Sequence, residues 1–394
     1  MNRKQFIVLA IVMVVIGTAA WLYSHRQSQG WRGQNPKLGQ KLLGNFQVND
    51  VAQIRIQRGT NVLALAKANG IWSVKQRDDY PANFQQISEL LLKLRGLKII
   101  QTEDVDPSQL PELNLAAPGP GTNSATLLAL SDDNGKPIRT LFLGKQHLQQ
   151  SSRPASDAMD NSWPDGRYVL ASSNSTTVAV ISDPLNEAAP DADSWLDKTF
   201  LSIQNPKSVS VEFPTTTNSW TLTRQSATNQ WQLAGLKPGE KLDESQASDT
   251  ADSFASPNFT DVVTDKNPEH TGLDKPTNVE IKTFDGFDYL LKVGLKTNDN
   301  YFLTVHTSAL LPREPVAAKD GKPAQQTAAD KAFNDHLKKL QDKLARESAL
   351  NKWVYSVPAW SLDPLLKNRG QLLVPPPATT GTNTPAANQP THHL

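Results

Sequence analysis

Val51-Ala-Gln-Ile-Arg-Ile-Gln57 alternates apolar and polar side chains, and Lys207-Ser-Val-Ser-Val-Glu-Phe213 repeats the alternation in the second half of the chain. Period two places every other side chain on one face, so each stretch reads as a half-buried β-strand. The sequence after each one also matches. Asn61-Val-Leu-Ala-Leu-Ala66 and Gly70-Ile-Trp72-Ser-Val74 follow the first; Ser219-Trp-Thr-Leu-Thr223 and Gln230-Trp231-Gln-Leu233 follow the second. Each copy therefore opens with three short strands, the third carrying a Trp.

The parallel continues downstream. Pro81 to Leu97 sets Phe84, Ile87, Leu91 and Leu94 on one helical face, and Glu244 to Phe254 is a more polar helix in the same place. Leu115-Ala-Ala-Pro118 and Leu273-Asp-Lys-Pro276 come next. Each precedes a strand, a turn and a strand ending in Gly: Ala125 to Leu130, Asn134-Gly135 and Thr140 to Gly144, against Asn278 to Phe284, Asp285-Gly286 and Tyr289 to Gly294. Asn-Gly and Asp-Gly are hairpin signals because such turns need positive φ. Arg167-Tyr-Val-Leu170 and Asn300-Tyr-Phe-Leu303 read as a further strand. Val178 to Ile181 with Trp195 to Leu201 then matches Trp353 to Val357 with Leu362 to Lys367. The expected fold class is α+β. Two tandem duplicated, mainly antiparallel β-rich domains span 46–202 and 203–374. Each has three strands, a packed helix, four more strands and a short helical exit.

The copies differ in one insertion. Gln149 to Pro164 is short and polar in the first copy. In the second, Pro312 to Leu350 begins as a linker and becomes a charged helix near 328–350, with Phe333, Leu337, Leu340 and Leu344 at helical spacing. The helix reads as packed on its own domain; the alternative is a helix offered to a partner.

Ahead of the repeats, Phe6 to Tyr23 is apolar and uncharged. Eighteen residues at 1.5 Å rise reach about 27 Å, close to the hydrocarbon thickness of a bilayer. The stretch 6–23 is read as a transmembrane signal anchor behind a cytoplasmic 1–5. A cleaved signal peptide ending in the small residues Gly17 to Ala20 is the alternative, but Trp21 and Tyr23 suit a membrane interface better. Arg3 and Lys4 favour a cytoplasmic N-terminus; Arg26, Arg32, Lys37 and Lys41 oppose it. A very short tail before a large body favours export. The expected location is the bacterial cytoplasmic (inner) membrane, single-pass, with the body on the extracytoplasmic side. Residues 24–45 form a polar linker, and 375–394 a Pro/Thr-rich tail expected to be disordered.

In the 394 residues, 40 Lys and Arg balance 39 Asp and Glu. This argues against nucleic acid as a partner, which rewards an excess of basic charge. Cysteine is absent, which excludes disulfides, thiolate metal sites and thiol nucleophiles. No phosphate-binding glycine loop, zinc-protease helix or nucleophile elbow occurs. His25, His147, His270, His306 and His336 are isolated, and His392 and His393 lie on the tail. Asp104 with Asp106, Asp132 with Asp133 and Asp191 with Asp193 lack the ligand spacing of a calcium loop and read as turn formers. Trp72, Trp195, Trp231 and Trp353 read as core anchors rather than sugar platforms. The sequence nominates no catalytic, cofactor-binding or metal-ligating residue.

Gly70-Ile-Trp72-Ser-Val74, Tyr80-Pro81-Ala82-Asn83 opening the first helix, Ser194-Trp195-Leu-Asp-Lys198 and Trp353 to Leu373 together resemble a bacterial membrane-anchored domain of unknown function. That family is often encoded beside gliding-motility-type ABC transporter subunits. The resemblance implies an ABC-type membrane complex as partner and no catalytic residues. The expected function is a non-enzymatic, membrane-anchored auxiliary or scaffold subunit of an ABC-type transport system. The alternative is a periplasmic ligand-binding module holding a glycan or lipid in the cleft between the repeats. A hydrolase with a site assembled from distant residues is the remaining rival.

Overall fold

A computed structural model describes residues 38–149, 163–172, 175, 177–312 and 323–375. The anchor at 6–23, most of the linker and the tail beyond Pro375 lie outside the described residues. Among the described residues no helix is long and apolar enough to cross a membrane. The chain divides between Asp197 and Lys198 into two compact units. Each unit is an antiparallel sheet with a few helices, an α+β arrangement.

The first unit runs β1 (Gln53–Arg58), β2 (Asn61–Ala68), β3 (Ile71–Val74), β4 (Tyr80–Pro81), α1 (Phe84–Gly96), β5 (Ile99–Asp104), β6 (Thr126–Ser131), β7 (Pro137–Gln149), β8 (Trp163–Leu170) and β9 (Thr177–Ile181). The sheet order is β4-β3-β2-β1-β6-β7-β8-β9-β5. The second unit runs β10 (Pro206–Glu212), β11 (Trp220–Thr223), β12 (Gln232–Leu233), α2 (Glu244–Asp252), β13 (Asp261–Val263), α3 (Pro268–Thr271), β14 (Thr277–Thr283), β15 (Phe287–Thr297), β16 (Asn300–Ala309), α4 (Pro323–Ser348), β17 (Val354–Pro358) and α5 (Ala359–Leu362). Its sheet order is β12-β11-β10-β14-β15-β16-β17-β13. Apart from β4, the two orders are the same. The registers agree as well: Ile54 faces Leu65 and Leu130, while Val209 faces Leu222 and Ile281.

Alternation buries one face of each sheet, with Ile54, Ile56, Leu63, Leu65, Leu128 and Leu141 in the first unit and Val209, Val211, Trp220, Leu222, Val279 and Leu291 in the second. α1 buries Ile87, Leu90, Leu91 and Leu94. Its start is fixed by Asn83, whose side chain accepts from the Gln86 amide at 3.2 Å; Asp243 caps α2 in the same way.

Three features differ from the sequence reading. First, each helix is followed by a strand that the pattern does not announce, β5 and β13. They close the far edge of each sheet against β9 and β17. Second, β7 and β15 do not end at Gly144 and Gly294 but run on through a register shift, between Leu143 and Gln146 and between Val293 and Lys296. A bulge of this kind bends a strand without ending it. Third, the counterpart of Trp195 is Leu372, beyond the segment Leu362 to Lys367 that the sequence matches to it. The Asn83 amide donates to the Trp195 carbonyl at 2.8 Å, and the Asp243 amide to the Leu372 carbonyl at 2.9 Å. Both side chains are fully buried, whereas Trp353 is only half-buried beside Lys352.

The Leu-x-x-Pro and Gly matches have one physical cause. A helical turn ends in a left-handed residue, Asn114 in one unit and Gly272 in the other, and the next Leu amide bonds back to Leu110 O or Pro268 O at 2.9 Å. The turn's last carbonyl, Leu113 O or Thr271 O, then presses on Gly144 or Gly294, where a Cβ would collide with it. Only glycine lets the turn lie that close.

The other faces of the sheets differ. Leu127, Phe142 and Leu170 form one cross-strand row in the first unit. The equivalent row in the second is Asn278, Lys292 and Thr304. The apolar row is packed over by the 3-10 turn Pro107–Leu113 and by Leu115, which joins Ala125, Leu170 and Val178 in a second small core.

Candidate functional site

Two cavities lie in the first unit, the first of them against that second core. One, of about 360 Å³, lies between the 107–118 segment and the sheet; its walls include Leu110, Pro111, Leu115, Pro118, Phe142 and Leu170, and every residue lining it is apolar. The other, of about 340 Å³, is lined by Arg58, Lys145 and Arg167 together with Asn114, Ser124 and Gln146, and no carboxylate takes part. Both volumes fall in the range of small-molecule sites.

The cavities have no lining residue in common, but neighbouring backbone positions border them. Asn114 lines the basic one and Leu115 the apolar one. Ser124 lines the basic cavity and bridges to Ala116, which lines the apolar one. On β7, Phe142 faces the apolar cavity, while Leu143 and Gly144 border the basic one. The β1–β2 turn also meets the loop carrying Pro118, since the Gly119 carbonyl lies 3.9 Å from where a Cβ of Gly59 would stand.

Arg167 holds the bulge. Its Nε donates to Gly144 O at 2.8 Å, and its Nη1 to Pro184 O and Leu185 O at 3.0 and 3.1 Å. Burial, and then the like charge of Arg58, lower its pKa from the ordinary guanidinium value, with Glu187 opposing. The register equivalent in the second unit is Tyr301, which donates to Asp363 at 2.8 Å. Burial and Asp363 push that phenol up to about 12.

Among the described residues, Glu347, Lys343 and Tyr289 form a connected ionisable cluster in the second unit. Glu347 on α4 is fully buried. Its Oε1 accepts the Ser202 amide at 3.0 Å, and its Oε2 accepts the Tyr289 hydroxyl at 2.8 Å and Lys343 Nζ at 2.6 Å. Lys343 also donates to the Tyr289 hydroxyl and lies 4.2 Å over the Phe287 ring. Burial lowers the Lys343 pKa; burial and the Glu347 carboxylate raise that of Tyr289. The phenol is thus held as a donor and both carboxylate oxygens are occupied. What this arrangement does is fasten α4 to β15, since removing one partner of a buried pair leaves a charge unpaired.

Among the described residues the histidines do not assemble into one centre. His147 meets Asp165 at 2.6 Å between β7 and β8, His270 meets Asp265 at 2.8 Å, His306 meets Asn351 at 3.3 Å, and His336 is exposed on α4. His25, His392 and His393 lie outside the described residues. Of the aspartates, Asp106 caps the turn before Asn114, and Asp132 accepts the Asn134 and Lys136 amides of a hairpin. Among the described residues no three His, Asp or Glu converge as metal ligands. Sequence reading missed both cavities and the Glu347 cluster. Lys343-x-x-x-Glu347 was the one available signal, and it reads as a solvated i,i+4 pair.

The repeated antiparallel frame defines a tandem β-rich protein. A family model described as "Domain of unknown function (DUF4340)" matches residues 160–276, from the start of β8 across the unit boundary to the turn before β14. No curated protein and no solved structure matches the chain.

Proposed function

We propose that this chain is a non-enzymatic, membrane-anchored envelope protein that serves as an auxiliary or scaffold subunit of an ABC-type transport system. Residues 6–23 hold it in the bacterial cytoplasmic membrane, and both units stand on the extracytoplasmic side. The units arose by internal duplication. The observation that carries the reading is one frame with two outer faces. Strand order, bulge, glycine and closing contacts recur, while the row Leu127, Phe142 and Leu170 has become Asn278, Lys292 and Thr304. A frame kept while its faces change suits a protein that presents surfaces to partners. The most chemically capable cluster, around Glu347, is engaged in packing α4, which fits a role without catalysis.

The test is affinity purification of the full-length protein from its native membrane in mild detergent, with mass spectrometry of what accompanies it. Permease and ATPase subunits are expected in amounts near stoichiometric. Recovery of the protein alone, after crosslinking as well as without it, overturns the assignment.

A further inference from the structure

We propose that the basic cavity of the first unit binds a small phosphate ester, whose phosphate is compensated by Arg58, Lys145 and Arg167. The site lies where the buried face of the sheet breaks its pattern. Side chains of this parity are apolar deeper in the sheet, at Ile54, Ile56, Leu128, Leu141 and Val169. Toward one end of the same face the chain places Arg58, Thr126 and Arg167 instead. With Gln57 facing Leu127, Arg58 falls beside Thr126; Thr126 faces Leu143; and the bulge after Leu143 sets Gln146 against Arg167. Departures from the local rule are expected at functional sites.

The charge here is not answered from within the unit. Neither Arg58 nor Lys145 makes a hydrogen bond or ion pair among the described residues. Arg167 donates only to carbonyls, through Nε and Nη1, and its Nη2 has no partner among the described residues. Thr126 lines the cavity at 4% exposure, and its hydroxyl has no hydrogen bond among the described residues. A buried hydroxyl without a partner is costly, and a ligand oxygen removes that cost. Arg58 lowers the Arg167 pKa by its like charge, so a bound anion relieves a repulsion already present. A phosphate monoester brings about two negative charges and three acceptor oxygens, where a carboxylate brings about one charge. At about 340 Å³ the cavity has room for more than the phosphate. Ser124 and Gln146 direct their donors to Gly121 O and Asn186, which leaves the Ser124 oxygen and the Gln146 carbonyl as acceptors for hydroxyl groups on the ester. Among the described residues no histidine or carboxylate lines the cavity, so the site holds its ligand without an acid or base to turn it over. The second unit lacks the site. Phe213, Thr277 and Tyr301 stand where Arg58, Thr126 and Arg167 do, and Tyr301 brings the carboxylate of Asp363.

The experiment is calorimetric titration of the full-length protein in maltoside detergent with glycerol 3-phosphate, and hydrogen exchange read by peptide mass spectrometry to place the ligand. Saturable binding is expected, with protection at 124–126 and 144–146 and none in the second unit. Arg58→Ser/Lys145→Ser changes two exposed side chains and removes two charged contacts, so binding is expected to weaken at least about tenfold. Thr126→Val keeps the shape and removes one neutral hydrogen bond, for a loss of about fivefold. Lys292→Ser, an exposed cation of the second unit, is expected to change nothing. Glycerate, with a carboxylate in place of the phosphate, is expected to bind about tenfold more weakly. Displacement of glycerol 3-phosphate by phosphatidate in nanodiscs identifies a lipid head group as the source, and its retention identifies a soluble ester. Absence of binding at millimolar glycerol 3-phosphate overturns the proposal. So does unchanged binding in the double variant, an equal loss in Lys292→Ser, glycerate binding as tightly, or protection elsewhere. Recovery of a transport complex does not require this cavity to be occupied, so the two assignments fail separately.

Discussion

Gly144 and Gly294 show how much one side chain can decide. Each lies under the last carbonyl of a helical turn, and a methyl group at either position meets that carbonyl well inside contact distance. Gly144→Ala and Gly294→Ala are therefore each expected to destabilise their own unit by about 2 kcal/mol, in the range of overpacking substitutions. Urea unfolding with probes specific to each unit checks this; an unchanged midpoint refutes the close-approach explanation. A second residue-scale prediction concerns acid. Arg369 donates to both Glu240 oxygens, at 3.1 and 2.6 Å, and with the Lys237 amide it lowers the Glu240 pKa to about 2. A carboxylate with a depressed pKa in the folded state stabilises above its unfolded value, near 4.3, and that contribution is lost as pH falls. Stability of the second unit is expected to decline between pH 4.5 and 2, with a shallower slope in Glu240→Gln. Equal slopes in the two proteins would remove Glu240 from the account.

At the scale of the element, α4 is held unevenly. Residues 330–339 are exposed or half-exposed, and full burial begins at Leu340 and recurs at Glu347 and, just past the helix, Leu350. Isolated helical turns are marginal in water, so helical stability here comes from the packed end. Amides of 330–339 are expected to exchange with solvent at least tenfold faster than those of 340–348, with a step near Leu340. Uniform protection along the helix would mean that something else covers its first turns. The paired strands present the opposite situation. β5 and β13 are edge strands, each paired with the strand that precedes its unit's closing segment, and the three-residue β13 depends on β17 for its place in the sheet.

For the whole molecule, each unit contains its own sheet, its own core and its own closing contact, in which the segment after the last strand pairs with the segment before the helix. Residues 38–197 and 198–375, produced separately, are each expected to fold, giving dispersed NMR spectra and a cooperative unfolding transition. If either fragment stays unfolded alone, the boundary at Asp197 is not an energetic one.

The sequence by itself determined what is local. Alternation at Val51 to Gln57 and Lys207 to Phe213 set the strands, Asn134-Gly135 and Asp285-Gly286 set the hairpins, and the spacing of Ile87, Leu91 and Leu94 set the first helix, although it starts at Phe84 behind the Asn83 cap and not at Pro81. Backbone conformation at those positions depends on the residues present and their immediate neighbours. Tertiary structure alone decided what depends on partners far along the chain. Asp261-Val-Val263 becomes a strand only because Val354 to Ser356 is there to pair with it. Leu372, not the segment Leu362 to Lys367 matched to it in sequence, takes the place of Trp195 because a backbone carbonyl defines the position and any buried side chain can follow it. Lys343 and Glu347 look solvated until β15 covers them with Tyr289. The two cavities draw on residues from Arg58 to Leu170, and no local pattern records that these segments meet.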